Sequence, residues 1–72
     1  EKALEYFLNI VQNDFGYIGV YYHLGKLYER IGQKQEAEKI YQCGMQITKQ
    51  KNETHAYSEL QEAYNQLKDF SD

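Results

Sequence analysis

The sequence predicts an all-α protein made of antiparallel helix-turn-helix pairs. Three observations carry this. Apolar residues recur at three- and four-residue steps through four segments, and no segment alternates with the period of two that a half-buried strand requires. Proline is absent, and the chain is rich in Glu, Gln, Lys and Leu, with eight tyrosines besides. The pattern also repeats. Tyr21, Leu24, Tyr28 and Ile31 shifted by 36 residues become Tyr57, Leu60, Tyr64 and Leu67, and Ala3 and Phe7 shifted by 34 become Ala37 and Tyr41.

The first helix is expected over Glu1–Gln12, where Ala3, Leu4, Phe7, Leu8, Ile10 and Val11 follow the helical period. Asn13-Asp14-Phe15-Gly16 ends it. The second runs from Ile18 to Ile31, with Tyr21, Leu24, Tyr28 and Ile31 on one stripe, Gly25 beside it, and Gly32 as a left-handed C-cap. The third spans Gln35–Lys49. Its face is Ala37, Ile40, Tyr41 and Gly44, extended by Met45 and Ile47, and Glu36 and Glu38 suit the positive end of the helix dipole. Lys51-Asn52-Glu53 reads as a polar turn in which Asn52 or Thr54 caps a fourth helix, Thr54–Leu67, with the face Tyr57, Leu60, Ala63, Tyr64 and Leu67. Gly25 is the odd residue. An interior helix glycine costs about 0.5–1 kcal/mol relative to alanine, so its presence implies that something approaches too closely for a side chain.

Seventy-two residues make one small domain or part of a larger one. A chain of this size buries only about 60% of its unfolded surface and usually needs support. The single cysteine, Cys43, forbids an internal disulfide, and with the distant His23 and His55 it falls short of a zinc ligand set. Packing must hold the fold, and no cofactor or metal is expected. A lone thiol points to a reducing, cytoplasmic compartment. Net charge is −3 with acids and bases interspersed, so no basic patch exists for nucleic acid. No apolar run is long enough to span a membrane. A chain opening on Glu1 rather than Met reads as an excised or processed piece.

These residues carry a family resemblance. The tetratricopeptide repeat has the pattern W-x2-L-G-x2-Y, then A-x3-F, then a small residue and a Pro, in about 34 residues. Tyr21 stands at the Trp position, Leu24-Gly25 is the Leu-Gly pair, and Tyr28 is the following Tyr. Gly32 falls in the turn, Ala37 at the alanine, Tyr41 at the Phe and Gly44 at the small residue. Half repeats match at Ala3 and Phe7 before it, and at Tyr57, Leu60 and Tyr64 after it. The chain therefore resembles half a repeat (1–13), a full repeat (18–51) and the first helix of another (54–68). Departures are Gln61 in place of the second glycine, and Lys49 and Phe15 in place of prolines. The resemblance implies a right-handed α-solenoid segment of about four helices. In it Gly25, Ala37 and Gly44 would be holes that receive Tyr21, Leu24, Tyr28 and Tyr41.

No residue pattern points to catalysis. Asp14-Phe15-Gly16 matches a kinase tripeptide with nothing else of a kinase around it, and an inter-helix turn is the simpler reading. His23 and His55 are expected on the groove sides of helices two and four without a third ligand, and Cys43 as a plain, partly buried thiol. The resemblance implies a protein-binding scaffold whose concave groove, lined by the first helix of each repeat, holds a peptide or partner helix. Groove positions would be Gly19, Tyr22, Lys26, Glu29 and Arg30 on helix two, and His55, Ser58, Glu62, Asn65 and Gln66 on helix four. Tyr22, an aromatic left over by the repeat framework, is the first contact candidate, with packing on the adjacent repeat as the alternative. The Lys and Asn that would clamp a chaperone-tail carboxylate are missing. The alternative is a structural or self-associating piece of a longer solenoid, because the apolar face of helix one (Leu4, Phe7, Leu8 and Val11) lacks its own partner helix.

Overall fold

The computed structural model describes residues 2–13 and 18–69. Four helices account for them: α1 (Lys2–Asn13), α2 (Ile18–Arg30), α3 (Lys34–Gln50) and α4 (Thr54–Asp69), with no strand among the described residues. The expected turn at Asp14–Gly16 lies outside those residues, as does Phe15 in its expected proline position. α2 packs against α1, α3 and α4, and α3 packs against α4, in a slab of 31 × 27 × 14 Å. No described helix is long and apolar enough to cross a membrane.

The two described turns use the same device. At the end of α2 the Gly32 N–H donates to the Glu29 carbonyl at 3.2 Å and the Gln33 N–H donates to the Tyr28 carbonyl at 2.8 Å. This is a Schellman closure around a left-handed residue, and Gly32 sits at φ +84° with open space where a side chain would go. At the end of α3 the Asn52 N–H donates to Lys49 at 3.2 Å and the Glu53 N–H donates to Thr48 at 2.8 Å, with Asn52 at φ 59°. The carbonyls of Gln33 and Glu53 then accept the first bonds of the following helices, from Ala37 and Tyr57. Asn52 therefore ends α3 and does not cap α4. Asparagine tolerates the left-handed region because its short amide interacts locally with the backbone. Each turn is three residues long, so each helix folds straight back along its predecessor.

The core takes most of the repeat-face residues of α2, α3 and α4 and adds others, but Ala3 is exposed and Phe7, Tyr57 and Tyr64 are only partly buried. Tyr21, Leu24, Ala37, Tyr41 and Leu60 are completely or almost completely buried, joined by Val20, Tyr28, Ala63 and Leu67. A Cβ built on Gly25 would come within 2.7 Å of Tyr41 Cδ1 and closer to the ring's Cε1 and Cζ. One built on Gly44 would come within 2.8 Å of Tyr21 Cβ and 2.9 Å of Leu60 Cδ1. The interior glycine is thus a notch for the Tyr41 ring. Burying a side chain of that size stabilises by about 1.5–3 kcal/mol, more than the glycine costs.

Some expectations need correction. Ile31 is 38% exposed, because α2 ends at Arg30 and the left-handed turn carries the next residues off the stripe. Val20 and Leu27 are buried instead, because α2 is covered on its α1 side as well as on its α3 and α4 side. Thr48 is fully buried, one step beyond Ala37, Tyr41 and Gly44 on the same stripe, with Oγ1 donating to the Met45 carbonyl at 3.0 Å. Cys43 is exposed, not partly buried.

Candidate functional site

α2 and α4 are neighbours, and α3 packs against both. Between α2 and α4 opens a cleft of about 150 Å³, lined by Tyr22 and Lys26 on one wall and Glu59, Glu62, Ala63 and Gln66 on the other. The helical spacing explains the lining. Tyr22 and Lys26 are four apart on one flank of α2, and Glu59, Ala63 and Gln66 are four and three apart on the facing flank of α4. Ala63, nearly fully buried, floors the cleft with a small side chain.

The α2 wall is a connected set. Lys26 Nζ lies 5.7 Å from the Tyr22 ring centroid, a cation–π arrangement. The same ammonium is 3.9 Å from Glu29 Oε2, and that oxygen accepts a 2.5 Å hydrogen bond from the Tyr41 hydroxyl. Burial pushes the Tyr41 phenol far above its ordinary 10, and the bond to Glu29 pushes it further in the same direction. On the α4 wall Glu59 Oε2 stands 3.8 Å from His55 Nε2, and Glu62 Oε1 accepts a long 3.5 Å bond from Gln66. The cleft carries Lys26 against the carboxylates of Glu59 and Glu62.

Tyr22, Lys26, Glu62 and Gln66 are brought together in this lining. Glu29 adjoins it with its carboxylate turned to Tyr41. Arg30, His55, Ser58 and Asn65 are exposed and lie outside the lining. Gly19 belongs to another depression, shared with Tyr6, Phe7, Ile10, Val20 and His23 between α1 and α2. His23 is likewise not on the α4 side, because its ring stacks on Phe7 of α1 at 6.3 Å. Glu59 and Ala63 were missed because equivalent residues of two like helices point the same way, whereas a cleft between those helices is lined by opposite flanks. Counting back three from Gln66 and then four would have found both.

Similar solved structures settle the family. A solution NMR structure of a tetratricopeptide repeat domain protein from Salinibacter ruber superposes with a TM-score of 0.93 at 36% identity, covering 97% of this chain and 71% of that one. A crystal structure of the tetratricopeptide repeat domain protein from the same organism gives 0.92 at 36% identity, with 96% and 77% covered. The chain belongs to the tetratricopeptide repeat family. No family sequence model matches it, and no match was found among curated proteins. Its tetratricopeptide framework residues Tyr21, Leu24, Gly25, Tyr28, Ala37, Tyr41 and Gly44 form the buried centre, and Gly32 makes the turn. Lys68 Nζ also ties α4 to α3, lying 3.0 Å from Glu38 Oε1. Among the described residues no three His, Cys, Asp or Glu side chains gather into a metal-binding group.

Proposed function

We propose that the chain is a non-catalytic protein-interaction scaffold that holds a peptide or partner helix in the groove between α2 and α4. On this reading 18–51 is a complete repeat, 1–13 is the second helix of a preceding one and 54–68 is the first helix of a following one. One observation carries the proposal: the cleft is walled by a partly buried tyrosine and by charged and amide side chains from two separate helices. An aromatic ringed by polar groups is the composition of a binding hot spot. Two carboxylates facing one ammonium favour a segment that brings a Lys or Arg to the α4 wall. The outlying positions Arg30, His55 and Ser58 would contact such a segment where it leaves the cleft. The net charge of −3 supports a protein partner over nucleic acid, and the exposed thiol of Cys43 suits a reducing compartment such as the cytoplasm.

The test is selection of binders from a random peptide library, followed by calorimetric titration. Tyr22→Ala should weaken binding at least about tenfold, the loss of roughly 1.4 kcal/mol or more that marks a contact residue. Glu62→Lys should weaken basic peptides and leave thermal stability unchanged. Selected peptides that bind both variants as tightly as the parent would overturn the assignment.

A second reading, a structural or self-associating segment, is favoured by α1. None of its residues is buried, Leu4, Phe7, Leu8 and Val11 are only partly covered, and Tyr6 is 63% exposed. Sedimentation at several concentrations separates the two, because a constant monomer mass removes self-association.

A further inference from the structure

We propose that Tyr41, a core residue, is a positioning residue for the cleft: its hydroxyl fixes Glu29, and Glu29 holds Lys26 against the Tyr22 ring, so that the α2 wall is set from the interior. The significance of this arrangement rests on the cleft being the binding site, but the arrangement itself is a property of the free protein.

The geometry carries it link by link. The Tyr41 ring is fully buried and wedged into the Gly25 notch, which leaves its hydroxyl a single placement. From there it donates to Glu29 Oε2 at 2.5 Å, a charge-assisted bond and the strongest link. The same oxygen faces Lys26 Nζ at 3.9 Å, and Nζ faces the Tyr22 ring at 5.7 Å. Residues 22, 26 and 29 are spaced four and three apart on one flank of α2, so the last two links cost little backbone ordering. An ion pair this exposed is ordinarily a loose contact, because two long side chains must give up rotamer freedom to form it. Here one partner is already held by the core, so only Lys26 has that freedom to lose. Without the hydroxyl, Glu29 turns to water, Lys26 follows, and the Tyr22 face opens. The division of charge across the cleft, ammonium on α2 and carboxylates on α4, therefore depends on a group that does not line it.

The test is NMR of the whole chain with Tyr41→Phe, which keeps the wedge and removes only the oxygen. The Lys26 ε-methylene protons should lie upfield of ordinary lysine in the parent, under the Tyr22 ring current. In Y41F they should return toward the ordinary position, while the Gly25 α-protons, which report the wedge, stay in place. Glu29→Gln should release Lys26 in the same way, and the double variant should add nothing further. Lysine shifts that stay put in Y41F, or effects of Y41F and E29Q that add, overturn the relay. If Y41F loses the Gly25 signature, E29Q alone decides, and an unmoved Lys26 in that variant rejects the proposal. Absence of any peptide partner would sink the scaffold reading while leaving these shifts as they are.

Discussion

Gly25 and Tyr41 act as one unit, because the ring occupies the volume that a side chain at 25 would need. Gly25→Ala forces a fully buried ring to move and should cost about 1–3 kcal/mol, the range for overpacking a dense core. For a domain of this length each lost kcal/mol lowers Tm by roughly 4–8 °C, so calorimetry reads the effect directly. Gly32 is constrained for a different reason. Nothing crowds it, but its φ of +84° is a left-handed conformation that costs other residues about 1–2 kcal/mol. Gly32→Ala should therefore destabilise by about that much, and Asn52→Gly, at φ 59° in the matching turn, should stabilise by up to about 1 kcal/mol in urea titration. Tyr41 also contributes to the alkaline limit, together with Tyr28, whose phenol burial likewise raises. The Tyr41 phenol is raised above 10 in the folded protein, so folding favours the protonated form. The stability this contributes is complete below pH 10 and is lost as pH climbs beyond it. Unfolding followed at rising pH should show a steep loss above that point, shallower in Tyr41→Phe. A parent whose stability is flat there would contradict the assignment.

Among the elements, α2 and α3 are held hardest and α1 least. α2 buries residues on two sides and locks α3 through the glycine notch, whereas α1 contributes no buried residue and, among the described helices, packs only on α2. Local opening free energy follows buried apolar contact, so amide hydrogen exchange should be fastest in α1 and slowest at the centre of α2 and α3. α1 amides as protected as those around Leu24 and Tyr41 would mean that its apolar face is covered in solution, which the self-association reading requires. Helix existence, order and approximate ends were legible in the sequence, because apolar periodicity is strong in all four segments and Gly32 punctuates the second. Two features were not. Thr48 belongs to the buried stripe of α3 but looks polar, and only its internal bond to Met45 makes it fit. Asn52 looks like an N-cap, yet its role follows from backbone dihedrals that composition does not reveal.

At the scale of the molecule, two like helices stand side by side because the α2–α3 and α3–α4 turns are equally short and α3 serves both. That placement creates the cleft. The repeat offset made the pairing of α2 with α4 readable from the sequence, and most of the lining with it: Tyr22, Lys26, Glu62 and Gln66 are cleft residues. The rest was hidden because a one-dimensional shift identifies equivalent positions, whereas Glu59 and Ala63 line the cleft from the opposite flank. Glu29 was expected in the groove, but nothing local to α2 announces that Tyr41, twelve residues on, will take its carboxylate. The whole arrangement rests on the two glycine notches that let α3 lie close to α2 and α4. Nuclear Overhauser spectroscopy tests this most directly. Strong cross-peaks from the Gly25 α-protons to the Tyr41 ring, and from Gly44 to Tyr21 and Leu60, are the predicted result; Gly25 α-protons without any aromatic neighbour would contradict it.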